Sequence, residues 1–373
     1  MRYIVSEVQA KLTGRRLDTS LQGFPPELDE RSGNVLKTLI KEFIRVGQPV
    51  GSRRLARLYR EKLSPATLRN VMADLEEGGY LAQPHASAGR IPTAAGYRYY
   101  VECLLGSKDL SPAEIGAIRR SLEQERDPNE LMSKASQLLS SYTNNIGIVL
   151  APPISRAVMK HIEFVRLSDE RILVILVSRT GFVRHQLIRL ELSLTQDELN
   201  KASRYLIENF AGRTLLEIRT ELIRLMSQER ALYDRLLGNV ILLGSATLSR
   251  AGEGDEEEPE VFLDGASRVI HRLQDDNLDR LIALMETLER KSQLVRIIVA
   301  CLSTEADRPT VTIGLEDHIP GMANWTLIAS PYQYDHHTTG TLAVLGPSRM
   351  EYDRAISLVD YVAKLFGQLM ERN

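Results

Sequence analysis

An α+β fold is predicted for this chain of 373 residues by three observations. Between residues 28 and 106, apolar residues recur at the spacing of a helix, and one short stretch has the pattern of a β-hairpin. Two later regions, 146–190 and 295–345, contain short runs rich in β-branched residues, with helical periodicity between and after them. Since apolar and polar residues alternate along the earlier runs, an antiparallel sheet with one covered face is expected. The length exceeds one ordinary core and predicts two or three domains.

The first two helices are predicted from residues 28–58. Leu28–Val46 is amphipathic, and Gly47-Gln48-Pro49 is a typical stop. Ser52 is expected to cap a short second helix, whose Arg53 and Arg54 are expected to contact DNA phosphates. From residue 31 to residue 100 there are twelve Lys and Arg against five Asp and Glu, hence +7 in a chain of net charge −2. This basic excess indicates nucleic-acid contact; the alternative is a small helical domain with a solvated basic face.

The third helix, Ser64–Glu77, is predicted to read DNA. Ser64 suits the N-cap and Pro65 the first turn. One face of the helix is apolar, and the side chains of the opposite face are small, polar and basic. The opposite face can therefore approach base edges in the major groove closely. The residues expected to contact bases or flanking phosphates there are Ser64, Thr67, Arg69 and Asn70.

A hairpin follows this helix. Gly78-Gly79 ends the helix, and Tyr80–Gln83 and Arg90–Ile91 are predicted to be two short strands, before Thr93 caps a further helix. The predicted winged helix-turn-helix therefore has a wing that touches the minor groove or the DNA backbone. Its expected contact residues are His85, Ser87 and Arg90; the alternative is a solvated hairpin.

The motifs of this region resemble those of the heat-inducible transcription repressor HrcA family. The main match is SPATLRNVMADLEEGGYLAQPHASAGRIPTAAGYRYYV, from residue 64. Further matches are IGIVLAPP from residue 146, HIEFVRL from residue 161 and WTLIASPYQYDHHTTGTLAVLGPSRMEYDRAI from residue 325. The resemblance implies a homodimer that represses chaperone operons through an inverted-repeat operator in double-stranded DNA. It also implies dependence on the chaperonin GroEL, and a GAF-like domain interrupted by an inserted dimerisation domain.

The domain organisation follows from the pattern and the resemblance together. The order of a sheet region, a helical region and a second sheet region could mean three consecutive domains. The resemblance favours instead one domain interrupted by an insertion. The expected boundaries are a flexible extension at 1–27, the winged-helix domain at 28–106, connector helices and the first part of the GAF-like domain at 107–194, the inserted α+β dimerisation domain at 195–291 and the second GAF-like part at 292–373. Strands are predicted at Gly238–Ala246 and Val295–Cys301, and the helices of Thr195–Leu237 and Tyr352–Met370 are the expected dimer surfaces.

No enzymatic motif is present, so neither catalysis nor a cofactor is expected. Asp335-His336-His337, with Asp317 and His318, resembles a metal or acid–base cluster, but adjacent histidines in a strand point to opposite faces, and a solvated hairpin loop is the alternative. The longest aliphatic run, Ile172–Val177, is too short to cross a bilayer, so a cytoplasmic protein without membrane contact is expected. A second hypothesis is a small-molecule-gated regulator that uses the GAF-like domain as its sensor.

Overall fold

The structure, a computed structural model, divides the chain into two compact units, one ending at Leu105 and the other beginning at Gly106. The predicted extension at 1–27, Ser87 and the pair His336-His337 lie outside the residues that the structure describes. The described ranges are 28–59, 63–86, 88–105, 109–153, 156–179, 181–190, 193–226, 235–248, 259–273, 278–302, 308–335 and 338–372.

The first unit contains helices around a two-stranded antiparallel sheet. Its elements are α1 (Glu30–Val46), α2 (Ser52–Leu58), α3 (Pro65–Glu77), β1 (Leu81–Ala82), β2 (Ile91–Pro92), α4 (Ala94–Tyr99) and a π-helical turn at Tyr100–Leu104. The predicted boundaries agree to within two residues. One predicted cap is wrong: Gly51 is the N-cap of α2, and Ser52 is already its first helical residue.

The core of the first unit joins its three leading helices to the hairpin. The side of α3 that carries Leu68 and Leu75 is buried, together with Leu36 of α1 and Leu55 of α2. Tyr80, which directly precedes β1, is fully buried and meets the ring of Tyr99 edge-on, with centroids 5.2 Å apart. Burying one face of α3 in this way leaves its opposite face at the surface.

The second unit alternates helices and strands along the chain. Its elements are α5 (Pro112–Glu123), α6 (Pro128–Thr143), β3 (Ile146–Leu150), β4 (Met159–Arg166), β5 (Arg171–Ser178), β6 (Val183–Arg189), α7 (Gln196–Phe210), α8 (Leu215–Met226), α9 (Arg235–Leu248), β7 (Val261–Asp264), α10 (Ala266–Leu273), α11 (Leu278–Glu289), α12 (Lys291–Cys301), β8 (Thr310–Ile313), β9 (Trp325–Asp335), β10 (Thr338–Pro347) and α13 (Tyr352–Arg372). Ser111 and Thr195 close capping boxes at the starts of α5 and α7.

A five-stranded antiparallel sheet in the order β7-β3-β10-β9-β8 is covered on both faces. On one face α6 lies so close to β3 that a Cβ on Gly147 would come within 2.1 Å of the Ser136 carbonyl oxygen. On the same face α13 packs on β9, where the rings of Tyr332 and Phe366 are 4.7 Å apart. The other face packs against α10, α11 and α12. All five residues of β3 are consequently buried.

The strands β4, β5 and β6 form a second antiparallel sheet, separate from β3. The sequence pattern predicts that β3 to β6 share one sheet, and this is wrong. The alternate residues of β4 to β6, such as Phe164 and Val174, form one core with α7, α8 and α9. Side chains of α7 also bond the free edge of β4: Gln196 accepts from Arg166 N–H and donates to the Phe164 carbonyl, both at 2.9 Å.

Two of the predicted strands are helices. Gly238–Ala246 lies inside α9, where Val240 and Leu243 pack in the core with α7 and α8. Val295–Cys301 lies inside α12, where Leu294 and Ile298 face the five-stranded sheet. A short apolar run fits a buried helix as well as a buried strand, and only the packing partners decide between them.

Candidate nucleic-acid interface

The outward face of α3 is small and polar, as the sequence predicts. Arg69 and Asn70 are exposed, as are the small residues Ala66 and Ala73 beside them. Within the described part of the chain, Arg69 enters no ion pair. A guanidinium and an amide on a face with few bulky side chains can both reach base edges.

The N-terminus of α3 is capped by the side chain of Ser64. The hydroxyl of Ser64 accepts from the Thr67 backbone N–H at 3.1 Å, and the two hydroxyl oxygens are 2.9 Å apart. Thr67 therefore takes part in the cap as well as in the outer face. The positive end of the helix dipole lies at this exposed end, where it favours an approaching phosphate.

The hairpin beside α3 has a loop that Gln83 holds together. Its side-chain amide donates to the carbonyls of Ala86 and Ala88, at 2.9 and 3.0 Å. His85 lies exposed in this loop, and Ser87 lies outside the described residues. Gln83 was not predicted from the sequence as a residue of the site. Its position, an amide directly before a loop of small residues, is the signal that could have identified it.

Two of the arginines predicted to contact DNA, Arg54 and Arg90, are paired with acids. Glu42 of α1 is buried and accepts from Arg54 at 2.5 Å and from Arg45 at 2.8 Å. The hydrogen bonds from Arg45 and Arg54 hold the pKa of Glu42 below its usual range against the opposing effect of burial. Arg90 lies 2.7 Å from Glu76. By contrast, Arg53 is exposed and has no ion pair with a described acid.

The other candidate site in the sequence is the possible metal or acid–base cluster at residues 317–318 and 335–337. They contain no group of three His, Cys, Asp or Glu placed to hold a metal ion. Asp317 and His318 lie in the turn after β8, and Asp335 ends β9. No described helix is both long and apolar enough to cross a membrane.

Comparison with known proteins agrees with the resemblance. Residues 129–356, more than half of the chain, match the family model described as the HrcA protein C terminal domain. Proteins named heat-inducible transcription repressor HrcA are similar over most of their length. The one from Geobacter sulfurreducens is 38% identical over 346 residues, which are 92% of this chain and 99% of that protein. The one from Nitrosomonas europaea is 40% identical over 342 residues, 91% and 98% of the two chains.

A solved structure shares the fold. A crystal structure described as that of a hypothetical protein at 2.2 Å resolution matches with a TM-score of 0.58 and 22% identity, over 93% of this chain and 99% of that chain. The family model and the relatives at 34–40% identity identify the chain as a member of the heat-inducible transcription repressor HrcA family.

Proposed function

We propose that this protein represses transcription of heat-shock chaperone operons, by binding an inverted-repeat operator as a homodimer through a winged helix-turn-helix. The observation that carries the proposal is the outward face of α3. It presents Arg69 and Asn70 among small residues, and a two-stranded hairpin follows it. That combination suits insertion of α3 into the major groove with the hairpin as a wing.

The residues of the site divide into base readers and phosphate contacts. Arg69 and Asn70 are proposed to contact bases, with Ser64 and Thr67 at the phosphates that flank them. Arg53 is proposed to contact phosphate because it is exposed. Arg54 keeps about half of its side chain exposed beside Glu42 and has N–H groups left for a phosphate. His85 and Ser87 are proposed to contact DNA at the wing.

The proposed dimer surface is the outer face of the three-stranded sheet. The apolar stripes of α7 and α8, which the sequence pattern offers for dimerisation, are used inside the fold: Leu206 and Leu222 are each 1% exposed. The apolar side of α13 is likewise buried, as at Phe366. The open aliphatic surface of the β4–β6 unit lies on the other side of the sheet, formed by Val165, Leu173, Ile175, Val177, Val183 and Leu187.

One pair of polar side chains on this outer face, Glu163 and His185, could meet between two copies. Glu163, Ile175 and His185 lie side by side across the three strands. A two-fold axis along β5 would place Glu163 of each copy over His185 of the other, and both over an aliphatic surface. A symmetric dimer needs a self-complementary patch of this kind. A dimer supplies two copies of α3, one for each half of an inverted repeat.

The dimer also provides a route to heat control. We propose that β4 to α9 form the insertion, in a GAF-like domain built on the five-stranded sheet, so that its limits lie nearer 156–248 than 195–291. If warming or loss of the chaperonin GroEL lowers the population of folded dimer, the operator is released without a small ligand. A separated copy would expose the aliphatic outer face, the kind of surface that a chaperonin binds.

The test is DNA binding by wild type, Arg69→Ala and Asn70→Ala. The probe is a duplex that carries the inverted repeat found upstream of chaperonin genes, against a duplex with one half-site scrambled. We expect wild type to prefer the intact repeat, and each variant to lose about 1–3 kcal/mol of specific binding. Arg98→Ala, an exposed arginine on α4, is the matched control and should lose little.

Two outcomes contradict the proposal. Equal affinity of wild type for both duplexes would remove specific operator binding. Unchanged affinity in folded Arg69→Ala and Asn70→Ala would remove α3 from the reading role. Adding the chaperonin to the same titration tests its part: the proposal expects more active dimer and tighter binding after warming, whereas no change would exclude chaperonin control.

A further inference from the structure

The side chain of Arg90 points into the protein at the base of the hairpin. Its Nε lies 2.7 Å from Oε2 of Glu76 in the last turn of α3. Only 16% of the Arg90 side chain and 34% of the Glu76 side chain are exposed. Because both side chains are partly buried, this ion pair is screened less than a fully exposed pair. It joins the hairpin directly to the helix proposed to read DNA.

The backbone at the same place is tied to the segment between α1 and α2. Arg90 and Val50 exchange two hydrogen bonds of 2.9 Å each, N–H to carbonyl in both directions. Gly89 lies so close to this segment that a Cβ would be 2.4 Å from the carbonyl carbon of Val50. The base of the hairpin is therefore held on two sides, by α3 and by residue 50.

The loop above this base keeps its own shape. Gln83 donates to two loop carbonyls, and the Ala88 N–H donates to the His85 carbonyl at 2.8 Å. Since the loop is braced internally, the orientation of its base determines where its tip lies. A change at the base moves His85 as part of a stiff unit.

We propose that Arg90 is a positioning residue, which acts through Glu76 to set the angle between the wing and the recognition helix, and that the tip of the wing makes the DNA contact. This inference rests on the proposed function. It differs from direct contact by Arg90 in one consequence. If Arg90 contacted phosphate, Glu76 would compete with the DNA, and its removal would strengthen binding. If Arg90 positions the wing, removal of Glu76 weakens binding.

The experiment measures operator affinity for Glu76→Gln, Arg90→Gln and the double variant across a salt series. We expect each single variant to lose about tenfold in affinity and the double variant to lose no more than either, as coupled residues do. The salt slope should stay unchanged, because neither variant removes a cationic side chain that contacts phosphate. Glu77→Gln, which removes the same charge from the exposed neighbouring residue, is the control and should not weaken binding. Arg90→Lys, which can keep an ion pair, should retain most of the affinity.

Direct contact predicts the opposite pattern. Tighter binding by Glu76→Gln, or a salt slope reduced by about 0.9 in Arg90→Gln, would overturn the proposal. Amide hydrogen exchange without DNA provides a second measurement: residues 82–91 should exchange faster in Glu76→Gln and Arg90→Gln than in wild type or Glu77→Gln. Unchanged exchange there would also overturn it. If wild type fails to prefer the inverted repeat, the proposed function falls, while the exchange data still decide whether Glu76 and Arg90 hold the wing.

Discussion

The two sheets of the second unit use similar aliphatic residues, but the fold covers them differently. The five-stranded sheet has helices on both faces, and every residue of β3 is buried. Among the described residues, α7, α8 and α9 cover one face of the three-stranded sheet, and on the other face Val183 and Leu187 are 52% and 40% exposed. A sheet that is aliphatic on both faces and covered on one has a surface suited to a partner. The proposed dimer surface therefore rests on the second sheet and not on the first.

The largest expected difference in folding stability comes from replacing one of two glycines by alanine, which adds a single methyl group. Gly147→Ala should cost more than about 4 kcal/mol of folding free energy, because the new Cβ meets the Ser136 carbonyl and the backbone of α6 cannot move away. Gly116→Ala in α5 has room for a Cβ and should stabilise by about 0.5–1 kcal/mol. Thermal and urea unfolding of the two variants measure the difference. A stable Gly147→Ala protein would show that α6 does not pack tightly on β3.

Truncation of one isoleucine in each sheet compares a closed face with an open one. Ile148→Ala should cost about 3 kcal/mol, because Ile148 is fully buried and its truncation leaves a cavity in the core. Ile175→Ala should cost about 1 kcal/mol, since Ile175 is only half-buried on the outer face. Urea unfolding at several protein concentrations makes the comparison. Equal, concentration-independent losses would contradict the distinction between the sheets.

A charge on the outer face tests assembly rather than folding. Leu187→Lys should lower the dimer population at least about tenfold and weaken operator binding, because each copy places an unpaired ammonium on the shared surface. The monomer should stay folded, as Leu187 is already 40% exposed. Leu216→Lys is the control, a leucine of α8 that is 52% exposed. Sedimentation of both variants decides the matter: a dimer that survives Leu187→Lys would exclude this face as the interface.

The smallest expected effect concerns the helix that covers the inner face. Thr195→Ala removes the hydroxyl that accepts from the Glu198 N–H at the start of α7 and should cost about 1 kcal/mol. Thr195→Ser keeps that hydroxyl and should cost less. Thermal unfolding measures both. Because α7 packs against β4 and not against the five-stranded sheet, hydrogen exchange should quicken in β4 and stay unchanged in β3.

Local signals in the sequence predicted much of the fold and of the site. The caps at Ser64 and Thr93 stand where the sequence places them, because a cap involves only residues two or three positions apart. The outer face of α3 was predictable for the same reason, since helical periodicity decides which residues lie opposite an apolar stripe. Arg69 and Asn70 are accordingly exposed as expected.

Contacts between distant residues were decided only by the tertiary structure. The strand β3 pairs with β10, nearly two hundred residues later, while β4 to β6 pair among themselves, and periodicity within a strand is the same in either sheet. The apolar runs 238–246 and 295–301 became helices because of what they pack against. Likewise, Arg90 is as basic in the sequence as Arg69, but only the folded chain places the Glu76 carboxylate 2.7 Å from it.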